Sequence, residues 1–238
     1  MDQQDACLNV GSSGFGKSYI QGYDIEQKFR SGFFPIIIDK KLDHEKLGAQ
    51  LGFKRLDIGK KTIDSWGAQE FNSLIEKLIK QGSAGIIFTF PDADFEISER
   101  DRVQVVNEIA KATLSLSTDA FFVLEEIRNF APAQTNEREF NAVRTIINEG
   151  RSKDVAFGGT CQFPQQVHYK VFQAVQTYRV FGLGSGNSKY DKLSISQYRE
   201  DMKGWTSDSR KYLLIDENKG IREVRSSKNV QRQTEHSG

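Results

Sequence analysis

Apolar residues in this chain gather in short runs, separated by longer stretches that mix apolar and charged positions. Five runs stand out: Ala6–Val10, Phe34–Ile38, Gly85–Phe90, Ala120–Leu124 and Val155–Cys161. Several are apolar without alternation, as expected of parallel strands covered on both faces. Between them, Tyr19–Arg30, Ala68–Gln81, Glu99–Ser117 and Asn136–Asn148 read as amphipathic helices. Strands alternating with helices predict an α/β fold: a mostly parallel central sheet, helices on both faces and right-handed crossovers. Gln176–Leu183, Tyr212–Asp216 and Gly220–Val224 follow as later strand candidates. The turn sequence DENKG between the last two fits a hairpin, which predicts antiparallel strands near the C-terminus. From Ser226 the chain is polar and aperiodic. Residues 1–225 therefore read as a single domain and 226–238 as a flexible polar tail, with no internal repeat and no linker.

Composition narrows the class. With 238 residues, 37% hydrophobic and 27% charged, the chain can bury a sizeable core. No apolar run approaches the roughly 20 residues that span a bilayer. The start, MDQQDACLNVG, lacks the basic and apolar regions of a signal peptide, so a cytoplasmic location is expected. Cys7 and Cys161 both fall in strand-like runs and read as buried thiols, not as a disulfide framework or a zinc site. His44, His168 and His236 show no metal-ligand spacing. The net charge of +1 is low for a protein that grips DNA by charge alone. Any nucleic-acid contact must be local, or shared among subunits.

The chemistry concentrates in LNVGSSGFGKSYI, Leu8 to Ile20. Gly11, four residues, then Gly16, Lys17 and Ser18 match the phosphate-loop spacing G-x-x-x-x-G-K-[ST]. Triphosphate oxygens need many close donors, and backbone N–H groups supply them where no side chain intervenes. Gly11, Gly14 and Gly16 clear that space and tolerate positive φ. The helix that follows adds its positive N-terminal end. The predicted ATP cradle comprises Gly11, Ser12, Ser13, Gly14, Phe15, Gly16, Lys17, Ser18 and Tyr19. Lys17 reaches the β and γ oxygens, and the Ser18 hydroxyl holds Mg²⁺.

A P-loop ATPase also needs a strand-borne carboxylate for Mg²⁺ and a base for the attacking water. In DAFFVLEEIRNFAP, Glu125 and Glu126 emerge at the C-terminal end of a buried strand, the end where ligands bind in an open α/β sheet. Adjacent strand residues face opposite ways, so the two carboxylates should have different jobs. Glu125 is assigned to Mg²⁺ through water, and Glu126 to activating the attacking water. A Glu-Glu pair that merely opens a solvated helix is the plain alternative.

On GSSGFGKSYI, PIIIDKK, FFVLEEIRNFAP and NEGRSKDVAFGGTCQFPQQV, the chain resembles the HerA/FtsK superfamily of ring-forming DNA-pumping ATPases. It is most similar there to the compact genome-packaging ATPases of archaeal and other membrane-containing viruses. The order and separations of these segments match across about Cys7 to Val224. The family usually has Asp-Glu where this chain has Glu125-Glu126. The resemblance implies a RecA/ASCE-like P-loop fold, ATP with Mg²⁺, a ring homo-oligomer (a hexamer), double-stranded DNA as the moved partner and a capsid or portal-vertex protein as a further one. It also implies host cytoplasm or virion association. Gln162, at the end of a strand after Glu126, becomes the γ-phosphate sensor. Arg151 becomes an arginine that reaches a neighbouring subunit's γ-phosphate, with Arg144 second. Asp39 sits where the family also has an acid, and either orders the site or caps the next segment.

Candidate DNA-facing loops are Arg128–Arg138 and Gly184–Lys192. The second carries Lys189, Tyr190 and Lys192, a basic and aromatic mixture suited to backbone contact. PDADFEISERDR is acidic at its start and a poor phosphate surface. Trp66 reads as packing. Competing functions are a cellular DNA translocase in conjugation, segregation or repair, a small-molecule kinase, and a non-hydrolysing nucleotide switch. Small size favours packaging, and the strand-borne Glu-Glu with Gln162 argues against a kinase.

Overall fold

The computed structural model of the chain describes residues 6–90, 97–183, 191–216 and 220–234. Its strands in chain order are β1 (Cys7–Val10), β2 (Phe34–Ile38), β3 (Lys54–Asp57), β4 (Ile86–Thr89), β5 (Ala120–Leu124), β6 (Val155–Cys161), β7 (Thr177–Val180), β8 (Lys211–Asp216) and β9 (Ile221–Ser226). They form one sheet in the order β3-β4-β2-β5-β6-β1-β7-β8-β9. Pairing is parallel from β3 to β7 and antiparallel for β7 with β8 and β8 with β9. The fold is the expected mostly parallel α/β sheet closed by an antiparallel hairpin.

The helices are α1 (Lys17–Arg30), α2 (Glu45–Leu51), α3 (Lys60–Ser65), α4 (Ala68–Lys80), α5 (Glu99–Leu114), α6 (Asn141–Glu149), α7 (Tyr169–Ala174) and α8 (Arg199–Lys203). The run FPIII of β2 is apolar throughout because both faces are covered. Ile36 and Ile38 pack with Phe122, Leu124 and the apolar faces of α4, α5 and α6. Ile37, one residue out of phase, packs with Val123, Ile25 of α1 and Leu47 of α2. Each fully buried isoleucine contributes about 1.5–3 kcal/mol. This two-sided burial fixes the register of the strands whose C-terminal ends carry the site.

Some boundaries differ from the sequence reading. α1 starts at Lys17, two residues before the expected helix, and α5 ends at Leu114. The stretch expected as one helix from Asn136 opens as a 3-10 turn, Glu137–Phe140, before α6. There the Asn136 side chain accepts from Arg138 N–H, and Phe140 turns fully inward. β3 was not anticipated. It lies at the sheet edge with Lys54, Arg55 and Asp57 exposed, so it shows no apolar run.

The polar stretch after Ser226 makes more contacts than its composition announces. β9 runs to Ser226, and the chain then continues along α1 instead of leaving the surface. Tyr19 Oη donates to Val230 O (3.0 Å). The buried Glu26 carboxylate accepts from Gln233 N–H (2.9 Å), Thr234 N–H (3.1 Å) and Arg232 Nε (3.3 Å). Gly22 explains itself here: a Cβ at this position would lie 2.5 Å from the Arg232 guanidinium carbon. Residues 230–234 form a strap, held by polar contacts that a search for apolar periodicity does not register.

Candidate functional site

The glycine loop is suspended from both neighbours of β1. Gly11 N–H donates to Cys161 O (2.9 Å) on one side, and Ser12 N–H to Gly182 O (2.7 Å) on the other. Gly14 (φ +81°) and Gly16 (φ +91°) hold left-handed conformations, which side-chain-bearing residues rarely adopt. A Cβ on Gly14 would meet nothing within 4 Å, so the loop's outer face is open as a phosphate cradle requires. α1 starts directly at Lys17 with no side-chain cap, which leaves its first N–H groups for a ligand. Of the expected residues 11–19, residues 11–16 form the bend and Lys17, Ser18 and Tyr19 open α1. Ser13 and Gly14 are exposed at the tip of the bend.

Lys17 is buried, and its ammonium donates to Ser12 O (2.9 Å), curling back over the loop. Burial lowers its pKa, and the charges of Glu126 and Glu125 oppose that fall. Ser18 Oγ donates to Asp43 Oδ2 (3.1 Å), a residue that sequence reasoning did not single out. Asp43 follows β2 in a turn organised by Asp39, whose carboxylate accepts the N–H groups of Lys41 (3.0 Å) and His44 (2.8 Å). Of the two roles considered for Asp39, the structure shows the turn-capping one. Burial raises its pKa.

The two glutamates occupy different surroundings. Glu125 still belongs to the ladder, donating its N–H to Ile38 O, while Glu126 turns left-handed at φ 56°. Glu125 is buried, with Oε1 2.5 Å from His44 Nε2 and Oε2 2.7 Å from Thr160 Oγ. Burial alone would raise its pKa, but the His44 charge, the His44 hydrogen bond and Thr160 outweigh it and hold the group low. His44 moves in the complementary direction: burial would lower its pKa, and Glu125 raises it. Together they form a buried ion pair through Oε1, and the Thr160 hydroxyl takes Oε2, so both carboxylate oxygens are occupied. Glu126 instead faces outward into a cleft of about 400 Å³ lined by Lys40, Lys41, Leu42, Arg128, Asn129 and Gln162. Its Oε1 accepts from Gln162 N–H (3.2 Å), and burial raises its pKa. A largely buried carboxyl with raised basicity that still lines a cleft suits proton abstraction.

Glu126 and Gln162 therefore share one cleft with Arg128 and Lys41, cations that the sequence reading had not placed there, while Lys17 stays folded over its own loop and feels the charges of Glu126 and Glu125. Arg128 also bonds Gln166 and lies over the Phe163 ring. Arg151 is elsewhere: exposed, in the 3-10 turn Gly150–Lys153, with no ion pair among the described residues. Arg144 is tied to Asn141 (2.8 Å) and lies 3.5 Å from Glu137. Trp66 packs edge-on against Phe71. Of the two candidate DNA loops, Arg128–Arg138 is partly built in, with Phe130 and Ala131 buried. In the other, residues 184–190 lie outside the described residues, as do 1–5, 91–96, 217–219 and 235–238.

The donors also fit magnesium. Among the described residues no group of three or more His, Cys, Asp and Glu could hold a metal ion unaided. The hydroxyl of Ser18 and the carboxylate of Asp43 are hard oxygens beside the cradle, the kind of partial set that Mg²⁺ completes with substrate phosphates and water. Among the described residues no helix is long and apolar enough to cross a membrane.

No protein-family model and no curated protein sequence matches the chain. Solved structures share its fold at low identity. The genome-packaging NTPase B204 of Sulfolobus turreted icosahedral virus 2, solved with ATP-gammaS, is 13% identical with a TM-score of 0.66, over 94% of this chain and 98% of that one. VirB4 of Thermoanaerobacter pseudethanolicus is 11% identical with a TM-score of 0.70, over 93% and 88%. The EssC ATPases 2 and 3 of Geobacillus thermodenitrificans give 12% and 0.53, over 98% of this chain and 41% of that one.

Proposed function

We propose that this protein is an ATP-hydrolysing motor of the HerA/FtsK type that moves double-stranded DNA, most economically into a viral capsid. One observation carries the reading: a glycine loop leads into α1, its Lys17 lies within electrostatic reach of Glu126, and Glu126 and Gln162, from the ends of β5 and β6, line one cleft. The shared fold with a viral packaging NTPase over nearly the whole length of both chains supports the packaging branch. VirB4 supports the wider motor class.

In this reading the loop N–H groups and Lys17 hold the β and γ phosphates. Ser18 and Asp43 lie where Mg²⁺ would bind, with Glu125 acting through water from its ion pair with His44. When bound, the ion neutralises developing charge on the phosphates. Glu126 takes the proton of the attacking water, Gln162 senses the γ-phosphate, and Arg151 of a neighbouring subunit in a ring supplies transition-state charge. DNA passes the loops of that ring, and a capsid or portal-vertex protein anchors it.

The test measures ATP binding and turnover with and without duplex DNA. Wild type should hydrolyse ATP, faster with DNA. Lys17→Ala should lose binding. Glu126→Gln should bind ATP yet stop turnover, since an amide cannot accept the proton. A folded Lys17→Ala with unchanged affinity and turnover would sink the reading.

A further inference from the structure

β1 stands between two halves of the sheet, and the nucleotide machinery described so far comes from one of them. Glu125, Glu126, Gln162 and Asp43 all arrive from the β6-β5-β2 side. On the other side, the residue just before β8 is Arg210. Its backbone is left-handed (φ 51°), and its carbonyl accepts both Ser227 N–H (2.7 Å) and Ser227 Oγ (3.0 Å). From this anchored position the guanidinium crosses the Tyr19 ring, 5.7 Å from its centroid. A Cβ on Gly16 would lie 3.4 Å from Arg210 Nη1. Among the described residues Arg210 has no carboxylate within ion-pair distance.

An exposed, unpaired guanidinium held over the first turn of a phosphate-binding helix adds fixed positive charge where N–H groups and the helix dipole already favour an anion. Its direction of approach decides which anion. The base and sensor candidates mark the γ-phosphate end, on the β6 side, so a nucleotide in the cradle extends its nucleoside end toward β7 and β8. We infer that Arg210 is a nucleotide-binding residue acting in cis, gripping the α- and β-phosphate end of the ligand across Gly16. The inference rests on the P-loop reading above. It differs from the trans role proposed for Arg151, which concerns the γ-phosphate alone.

The consequence is a distinct ligand profile. A contact to the α and β oxygens is made equally by ATP and ADP, so losing it should weaken both by the same factor. A charge-assisted hydrogen bond of this type corresponds to about tenfold or more in affinity. Arg210→Gly suits the test because glycine accepts the left-handed backbone and keeps the carbonyl that Ser227 binds. Arg210→Lys keeps the charge without the planar fork.

Equilibrium titration of ATP and ADP with Mg²⁺, alongside thermal melting of each variant, gives the readout. Arg210→Gly should melt like wild type and lose about tenfold for both nucleotides, with Arg210→Lys recovering part of the loss. Wild-type affinity for both nucleotides in Arg210→Gly overturns the inference. Loss for ATP with ADP unchanged overturns it too, since that assigns Arg210 to the γ-phosphate. If wild type itself binds neither nucleotide, the P-loop reading fails, and this inference with it.

Discussion

Thr160 serves two neighbours with one hydroxyl, donating to Glu125 Oε2 and accepting Glu126 N–H (2.8 Å). It therefore fixes the Glu125 carboxylate and the Glu126 backbone at once, from near the C-terminal end of the adjoining strand. Thr160→Val keeps the shape but leaves a buried carboxylate oxygen and a buried N–H unsatisfied. It should lower unfolding free energy by about 1–3 kcal/mol in denaturant titration, and turnover should fall further than ATP affinity. At this scale the phosphate loop was legible because its chemistry is written in eight consecutive residues, Gly11 to Ser18. Asp43 and His44 were not, because their partners lie 25 and 81 positions away in the chain. The tight turn that Asp39 caps brings them in, and nothing in its local sequence announces which side chains it will aim at the site. Arg210 escaped notice for the same reason, since its left-handed conformation carries no glycine to flag it.

At the scale of elements, buried strands were readable and marginal ones were not. β2 and β5 are covered on both faces and so are apolar throughout, whereas β3 and β9 sit at the two edges with charged residues outward. The strap over α1 belongs to this second group. Its attachment depends on Glu26, whose burial would raise its pKa, but hydrogen bonds from Thr234, Gln233 and Arg232 outweigh that and lower it. A carboxyl whose folded pKa is depressed stabilises the docked form above its ordinary range, and that contribution is lost as pH falls through the lower folded value. Docking of residues 230–234 should therefore loosen in acid before the sheet unfolds. Glu26→Gln should mimic this at neutral pH. The strap can then undock and carry Arg232 into water, so the effect should show as several-fold faster tryptic cleavage after Lys228 and Arg232. Unchanged cleavage rates in Glu26→Gln would mean that other contacts hold the strap.

For the whole molecule, the charged edges bear on assembly. Lys54, Arg55 and Asp57 at one edge, and Arg222, Glu223 and Arg225 at the other, discourage extension of the sheet from chain to chain. A ring would have to join through faces and loops, and Arg151, exposed and with no ion pair among the described residues, suits such a junction. If it acts across a subunit boundary, mixing inactive Arg151→Ala with inactive Glu126→Gln should restore partial ATPase activity, because some interfaces then pair an intact Glu126 with an intact Arg151. Arginines supplied in this way are worth roughly 10³–10⁵ in rate. Full activity of Arg151→Ala alone, or no rescue in mixed rings, would remove the trans role. The position of β1 has a further consequence, in the order of synthesis. Among the strands of this sheet the one that carries the phosphate loop is made before the others, yet both its neighbours, β6 and β7, come from beyond residue 150. Glu26 and Arg232 are 206 residues apart, which at 5–20 residues per second is a wait of roughly 10–40 s. Until β6 and then β7 have been made, the glycine loop has no wall on either side. The nascent chain therefore cannot complete the loop before β7 is made, and residues 230–234, made later still, fasten the helix behind it.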